Sequence, residues 1–256
     1  MRHIIPMPDT RRRIVPGSKN ANSASAPARR ARASSAHQVR IIGGRWKRTL
    51  LPVVVAEGLR PTPDRVRETV FNWLAHLFDH DWSGLCCLDL FAGSGALGFE
   101  AASRGAAAVT MVEAHTPAVR QLEEMRERLG APEITIVRGD ALAFAKNLIA
   151  RGQAASVDLV FLDPPYHQGW VEKMLPFCAE AIAFDGYVYV ETEVPLVEAG
   201  SAISAPAVES ARIPTSTFNS TRPVSLPEGW KIVRADRAGL VFYHLLQHSN
   251  TIGLEA

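Results

Sequence analysis

Cysteine is scarce: the 256-residue chain holds only Cys86, Cys87 and Cys178. They show no metal-ligand spacing and no disulfide framework, which fits a reducing compartment and leaves no metal site to expect. Cys86 and Cys87 are neighbours in a strand-like run and must point to opposite faces, so all three read as small core residues. No apolar run nears the roughly 18 residues of a membrane-spanning helix. The N-terminus lacks the apolar core of a secretory signal, and no internal repeat is visible. These absences predict a cytoplasmic protein with no membrane partner.

Acid is missing from one end of the chain. Residues 1–37 hold eight Lys/Arg against one Asp/Glu, and residues 38–67 hold seven against two. Residues 68–256 hold thirteen against twenty-three, so charges of +7, +5 and −10 lie inside a formal net charge of +2. Such segregation points to a polyanionic partner, and nucleic acid is the usual one. A solvated basic tail without a partner is the alternative for residues 1–37. That tail is rich in Arg, Ser, Ala and Pro without apolar period, which predicts disorder. Its composition also suits an organellar transit peptide.

Residues 38–84 read as a separate N-terminal module. Val39 to Arg48 read as a strand entering a tight turn at Gly43-Gly44. At its tip Arg45, Lys47 and Arg48 can grip phosphates while Trp46 offers a stacking face; an ordinary charged hairpin fits the same residues. Thr62 is a good N-cap and Pro63 suits the first helical position. Val66, Val70, Trp73, Leu74 and Leu77 then share one face of an amphipathic helix.

From residue 85 to about 250 the pattern alternates. Strands are predicted at 85–91, 108–113, 134–138, 157–162 and 187–192. Helices are predicted at 95–104, 116–129, 141–150 and 170–183. This alternation implies an α/β fold: a mostly parallel, Rossmann-like sheet with helices on both faces and ligands at the carboxyl ends of its strands. Residues 200–226 carry few large apolar residues and read as a loop insertion. Trp230–Arg234 and Leu240–Leu246 would then close the sheet as an antiparallel hairpin, turning through Asp236–Gly239.

Two strand ends carry the chemistry. Gly93, Gly95 and Gly98 fit G-x-G-x-x-G, with Glu113 twenty residues after Gly93, which alone is a dinucleotide fingerprint. Asp89, however, puts a carboxylate at this loop. It would repel a pyrophosphate and welcome the ammonium of a methionine moiety. S-adenosylmethionine has a ribose and an adenine but no phosphate. Glu113 can accept from the ribose hydroxyls and Asp140 from the adenine amine, although Asp140 also fits a helix N-cap.

The second end is Asp163-Pro164-Pro165-Tyr166, after the apolar run Val157–Leu162. Two prolines cannot continue a strand or enter a helix interior, so the chain leaves the sheet with a stiff backbone. The exocyclic amine of a nucleobase is planar and a poor nucleophile until its lone pair is localised. The Asp163 carboxylate and the Pro164 carbonyl can each accept one N–H and aim that lone pair at a methyl donor. Asp163 either only orients the amine or also takes its proton. Tyr166 can stack on the base, and His167 reads as a surface histidine.

These residues resemble class I S-adenosylmethionine-dependent amino-methyltransferases, which carry an Asp/Asn-Pro-Pro-Tyr/Phe turn. More narrowly, Arg40-Ile41-Ile42-Gly43-Gly44-Arg45-Trp46, Leu59-Arg60-Pro61-Thr62, Asp64 to Leu74 and Leu90 to Gly98 are similar to the RsmD family, over about residues 39–198 and 226–247. That resemblance implies a seven-stranded methyltransferase fold. It implies methylation of a guanine N2 in 16S ribosomal RNA, by a monomer acting on a small ribosomal subunit or an assembly intermediate. It implies an amine site at Asp163, Pro164, Pro165 and Tyr166. It implies a cofactor site at Asp89, Gly93, Ser94, Gly95, Glu113, Asp140 and Ala141, joined by Thr62 and Arg67. RNA contacts would come from Arg40, Arg45, Trp46, Lys47, Arg48 and Arg60. The basic residues 1–37 and the insertion at 200–226 depart from the family pattern without interrupting a motif. The rival readings are an enzyme acting on a DNA adenine or a protein glutamine amide, and a noncatalytic RNA- or dinucleotide-binding module.

Overall fold

The computed structural model describes residues 38–53, 62–200 and 223–249. The basic tail, Arg60 and most of the expected insertion lie outside the described residues.

Five parallel strands build the centre. They are β3 (Cys86–Asp89), β4 (Ala108–Glu113), β5 (Ile134–Arg138), β6 (Val157–Leu162) and β7 (Ile182–Thr192). An antiparallel hairpin, β10 (Trp230–Ala238) and β11 (Val241–His248), completes a seven-stranded sheet in the order β10-β11-β7-β6-β3-β4-β5. The order reverses between β3 and β6, which pair directly. That is the topological switch point where such sheets bind ligands. Two small pairs flank it: β1 (Gln38–Arg40) with β2 (Leu50–Pro52), and β8 (Leu196–Val197) with β9 (Val224–Ser225).

The strands are apolar on both faces because helices cover both. One face packs α1 (Asp64–Leu77), α2 (Ala96–Arg104) and α3 (Thr116–Leu129) around Phe71, Phe99, Met111, Leu122, Phe161 and Tyr189. The other packs α4 (Ala141–Ala150) and α5 (Trp170–Ala181) around Leu88, Val112, Val160, Met174, Leu175 and Val190. Among the described residues no helix is long and apolar enough to cross a membrane, and no cluster of residues could hold a metal ion.

Several boundaries differ from the sequence reading. Pro63, not Thr62, occupies the N-cap of α1, and no side chain caps that helix; the Thr62 hydroxyl is drawn elsewhere. Phe71 lies outside the expected stripe yet is fully buried, against Trp82 and Phe161. The closing hairpin turns at Gly239-Leu240 rather than 236–239, because Asp236 stays in register with Tyr243 and accepts its hydroxyl at 2.9 Å. The last residues of the expected insertion are structured: β9 pairs with β8, and Leu226 is buried.

Candidate active site

Side chains alternate across a strand, so residues two apart share a face. Cys87 on β3, Met111 on β4, Phe161 on β6 and Tyr189 on β7 all enter the core under α1, α2 and α3. The residue two further along is acidic in every case: Asp89, Glu113, Asp163 and Glu191. Four carboxyls therefore gather at the carboxyl ends of four strands, on one face, around the switch point. Asp163 and Asp89 belong to the two adjacent strands where the order reverses.

The glycine loop sits over Asp89. Gly95 caps α2 with φ at +77°, a left-handed conformation. A Cβ there would also lie 2.6 Å from both Leu122 and Phe99, so only glycine fits. Glu113 holds the loop from β4: its Oε2 accepts from the Gly93 N–H at 2.7 Å and its Oε1 from the His115 N–H at 2.7 Å. Each oxygen keeps a second lone pair. Ser94 lies at the loop crest, half-buried.

Asp89 is sealed, at 1% exposure. Its Oδ2 accepts from the Gly98 N–H at 3.2 Å, but its Oδ1 is buried with no donor among the described residues. Burial pushes the carboxyl up to about 7; the Gly98 and Phe91 backbone N–H groups oppose this and Glu113 adds to it. An orphaned buried carboxylate oxygen beside the glycine loop fits a cationic amine, directly or through one water. Asp140 is the N-cap of α4, accepting from the Ala143 N–H at 2.8 Å, with Ala141 buried behind it. Its other oxygen takes no part in that cap.

Asp163 is half-buried at the end of β6, and Pro164 behind it is buried. Thr62 Oγ1 reaches Asp163 Oδ2 at 3.1 Å and Glu191 Oε1 at 2.7 Å. Tyr189 donates its hydroxyl to the same Glu191 oxygen at 2.8 Å. Burial raises both carboxyls above their usual range, and Glu191 raises Asp163 further. Arg67 is fully buried, with Nη2 on Asp64 at 2.6 Å and Nη1 without a partner among the described residues. No part of its guanidinium faces solvent, so it meets the site through Asp64, Thr62 and the field it exerts on Glu191. A pocket of about 110 Å³ opens beside the turn between Pro164, Trp170, Glu191 and Glu193. Tyr166 meets the His167 ring edge to face, and the exposed His167 is held by Glu193.

The basic hairpin tip lies at the opposite end of the sheet. The α2 helix runs back from the carboxyl end of β3, and just beyond its last turn Ala107 bonds to Leu85, ahead of β3. The backbone N–H of Arg45 bonds to Ser103 at this far end, as does that of Trp46. The Arg45 guanidinium pairs with Glu133 and covers the Trp46 ring at 4.1 Å. Lys47 and Arg48 are exposed there, while Arg40 pairs with Asp64 at 2.6 Å. Arg45, Trp46, Lys47 and Arg48 are thus not brought to Asp163, whereas Arg40 meets its end of the sheet through Asp64, Arg67 and Thr62.

Two polar residues escaped the sequence reading. Glu191 had a signal, since it ends an apolar run as the other three acids do. Glu100 had none, being a helix residue among alanines. Its fully buried carboxylate takes the Ile42 and Gly43 N–H groups at 2.6 and 2.8 Å and Arg104 Nε at 2.8 Å, clamping the hairpin to α2.

Similarity to known proteins fits this geometry. The sequence profile of a family described as "Conserved hypothetical protein 95" matches residues 39–206. The chain is 38% identical over 216 residues to "Ribosomal RNA small subunit methyltransferase D" of Escherichia coli, covering 84% of this chain and 92% of that protein. It is 34% identical over 215 residues to the protein of the same name in Haemophilus influenzae, covering 82% and 94%. The solved structure of a putative methyltransferase of Escherichia coli superposes with a TM-score of 0.61 at 35% identity, covering 83% of this chain and 98% of that one. The chain belongs to the conserved hypothetical protein 95 family, the RsmD family that its motifs resemble.

Proposed function

We propose that the protein transfers a methyl group from S-adenosylmethionine to the exocyclic N2 of a guanine in 16S ribosomal RNA. The observation that carries this reading is the placement of Asp163 and Asp89 on one sheet face at the switch point. An amine acceptor and a glycine loop backed by a carboxylate then share one site. S-adenosylmethionine, when bound, supplies a sulfonium methyl to a nucleophile.

The chain's residues do the rest. Asp89 and Glu113 hold the ammonium and the ribose. Asp140 and Ala141 border the adenine. The Asp163 carboxylate and the Pro164 carbonyl each accept one N–H of the target amine, which localises its lone pair. Tyr166 stacks on the base. Guanine fits the acceptors near this turn because its N1–H and N2–H groups are donors on one edge, whereas adenine presents an acceptor at N1. Asp163 and the half-exposed Glu193 are acceptors at this turn. Lys47 and Arg48 would hold phosphates of the same RNA away from the target base, and Arg40 phosphates nearer to it, positioning the RNA without reading sequence. A large, folded RNA within a small ribosomal subunit can touch both ends of the sheet at once.

The names of the Escherichia coli and Haemophilus influenzae relatives support ribosomal RNA as substrate. The test is nucleoside mass spectrometry of 16S RNA in small-subunit particles from a strain lacking the gene, before and after incubation with the protein and S-adenosylmethionine. N2-methylguanosine should appear. Its absence, or methylation of DNA adenine or a glutamine amide instead, would overturn the substrate assignment.

A further inference from the structure

One hydroxyl serves two carboxyls. Thr62 Oγ1 lies within hydrogen-bond distance of Asp163 Oδ2, at 3.1 Å, and of Glu191 Oε1, at 2.7 Å. A threonine hydroxyl has one hydrogen to give. It donates to one carboxyl; the second contact is a hydrogen bond only when that other carboxyl carries a proton and donates to Oγ1. Two ionised carboxylates would leave an Oγ1 lone pair against an anionic oxygen. Thr62 at 5% and Glu191 at 2% exposure are buried and Asp163 is half-buried, so water relieves that contact only in part. Tyr189 cannot supply the missing proton donor, because its hydroxyl already points at Glu191 Oε1.

We propose that Glu191 and Thr62 are positioning residues that hold one proton in common with Asp163, and so set the pH at which Asp163 becomes an acceptor for the substrate amine. The catalytic half of this inference rests on the function proposed above; the shared proton does not. When the proton sits on Asp163, Asp163 donates to Thr62 and Thr62 donates to Glu191. When an amine N–H approaches Asp163, the proton of Asp163 passes to Thr62 Oγ1 as the Thr62 hydrogen passes to Glu191 Oε1. The count of protons is unchanged, and Asp163 is left ionised, with Thr62 donating to it.

The charges around the pair agree with a shared proton. Beyond burial, Glu191 and, less strongly, Asp89 on β3 raise the affinity of Asp163 for a proton. Arg67 on α1 and the Tyr189 hydroxyl on β7 oppose this at Glu191. Tyr243 on β11 stands near Tyr189 and is itself held neutral by burial and Asp236. Arg67 is already paired with Asp64, so its charge does not offset both carboxylates. The two carboxyls therefore titrate as a unit.

Carboxyl ¹³C NMR titration of the full chain, without RNA or cofactor, tests the shared proton. Asp163 should titrate above the ordinary carboxyl range together with Glu191. Glu191→Gln removes the like charge and keeps a donor for Thr62, so the Asp163 midpoint should fall by about 1–2 units. Thr62→Val should raise it, and Thr62→Ser should restore it. The acid limb of kcat/KM for methyl transfer should move in the same directions. A midpoint unmoved by Glu191→Gln, or a serine variant that behaves as the valine one, would overturn the inference. Should Glu191→Gln fail to fold, the Val and Ser variants decide alone. Midpoints that move as stated in a protein that methylates no RNA would overturn the proposed function and leave the shared proton standing.

Discussion

The proposed cofactor contact at Asp89 makes binding depend on pH in a calculable way. Burial raises this carboxyl to about 7. An ammonium group favours the ionised form alone. With a midpoint near 7, about 0.1 of Asp89 is ionised at pH 6 and about 0.9 at pH 8. Affinity for S-adenosylmethionine should therefore be roughly tenfold greater at pH 8 than at pH 6, about 1.4 kcal/mol. Binding at pH 6 should release nearly one proton per molecule bound. Asp89→Asn should flatten this dependence and weaken binding at pH 8 by about 10- to 100-fold, the loss of a charge-assisted bond worth about 1.5–3 kcal/mol. Stability should move the other way. The folded carboxyl keeps its proton to about pH 7, whereas the unfolded one loses it near its ordinary value of 3.8. Between about pH 4 and pH 7 the folded state binds more protons, so stability falls as pH rises, by about 4 kcal/mol in all. Asp89→Asn removes that slope and should stabilise the protein at pH 8. Calorimetry in buffers of different ionisation enthalpy measures the released proton, and urea unfolding at pH 5 and pH 8 measures the slope. Equal affinity at pH 6 and pH 8 with no proton release would refute the ammonium contact.

Asp163→Ala removes the charged acceptor and leaves the Pro164 carbonyl as the remaining one; single-turnover methyl transfer should slow by about 10²–10³, with cofactor binding unchanged by calorimetry. A variant within tenfold of the parent would refute the amine-orienting role. Glu100→Ala strands the Ile42 and Gly43 N–H groups and Arg104, so unfolding free energy should drop by about 3–5 kcal/mol in urea. A change below about 1 kcal/mol would show that Glu100 does not clamp the hairpin.

Much of the site could be read before folding was considered. Asp89, Glu113 and Asp163 each end an apolar run, and a side-chain period of two is a local property of the chain. Glu191 obeys the same rule and was within reach of it. The two prolines after Asp163 end β6 by missing donors and fixed φ, again locally. Phe71 was missed because its burial depends on Trp82 and Phe161, not on the periodicity of its own helix. The hairpin turn moved because Tyr243 holds Asp236 in the ladder across the strand.

The sequence by itself determined the α/β alternation, the acids at the strand ends, the glycine loop and the rigid turn, since each is written in residues close along the chain. Only the tertiary structure decided what those groups meet. Thr62 has the form of a helix cap, yet its hydroxyl serves carboxyls 101 and 129 residues away. Arg45 and Trp46 have the form of an open RNA grip, yet they cover each other at the far end of the sheet. The reason is the same in both cases: a polar side chain goes to the strongest partner that folding brings within reach, and chain order carries no record of which distant group that is.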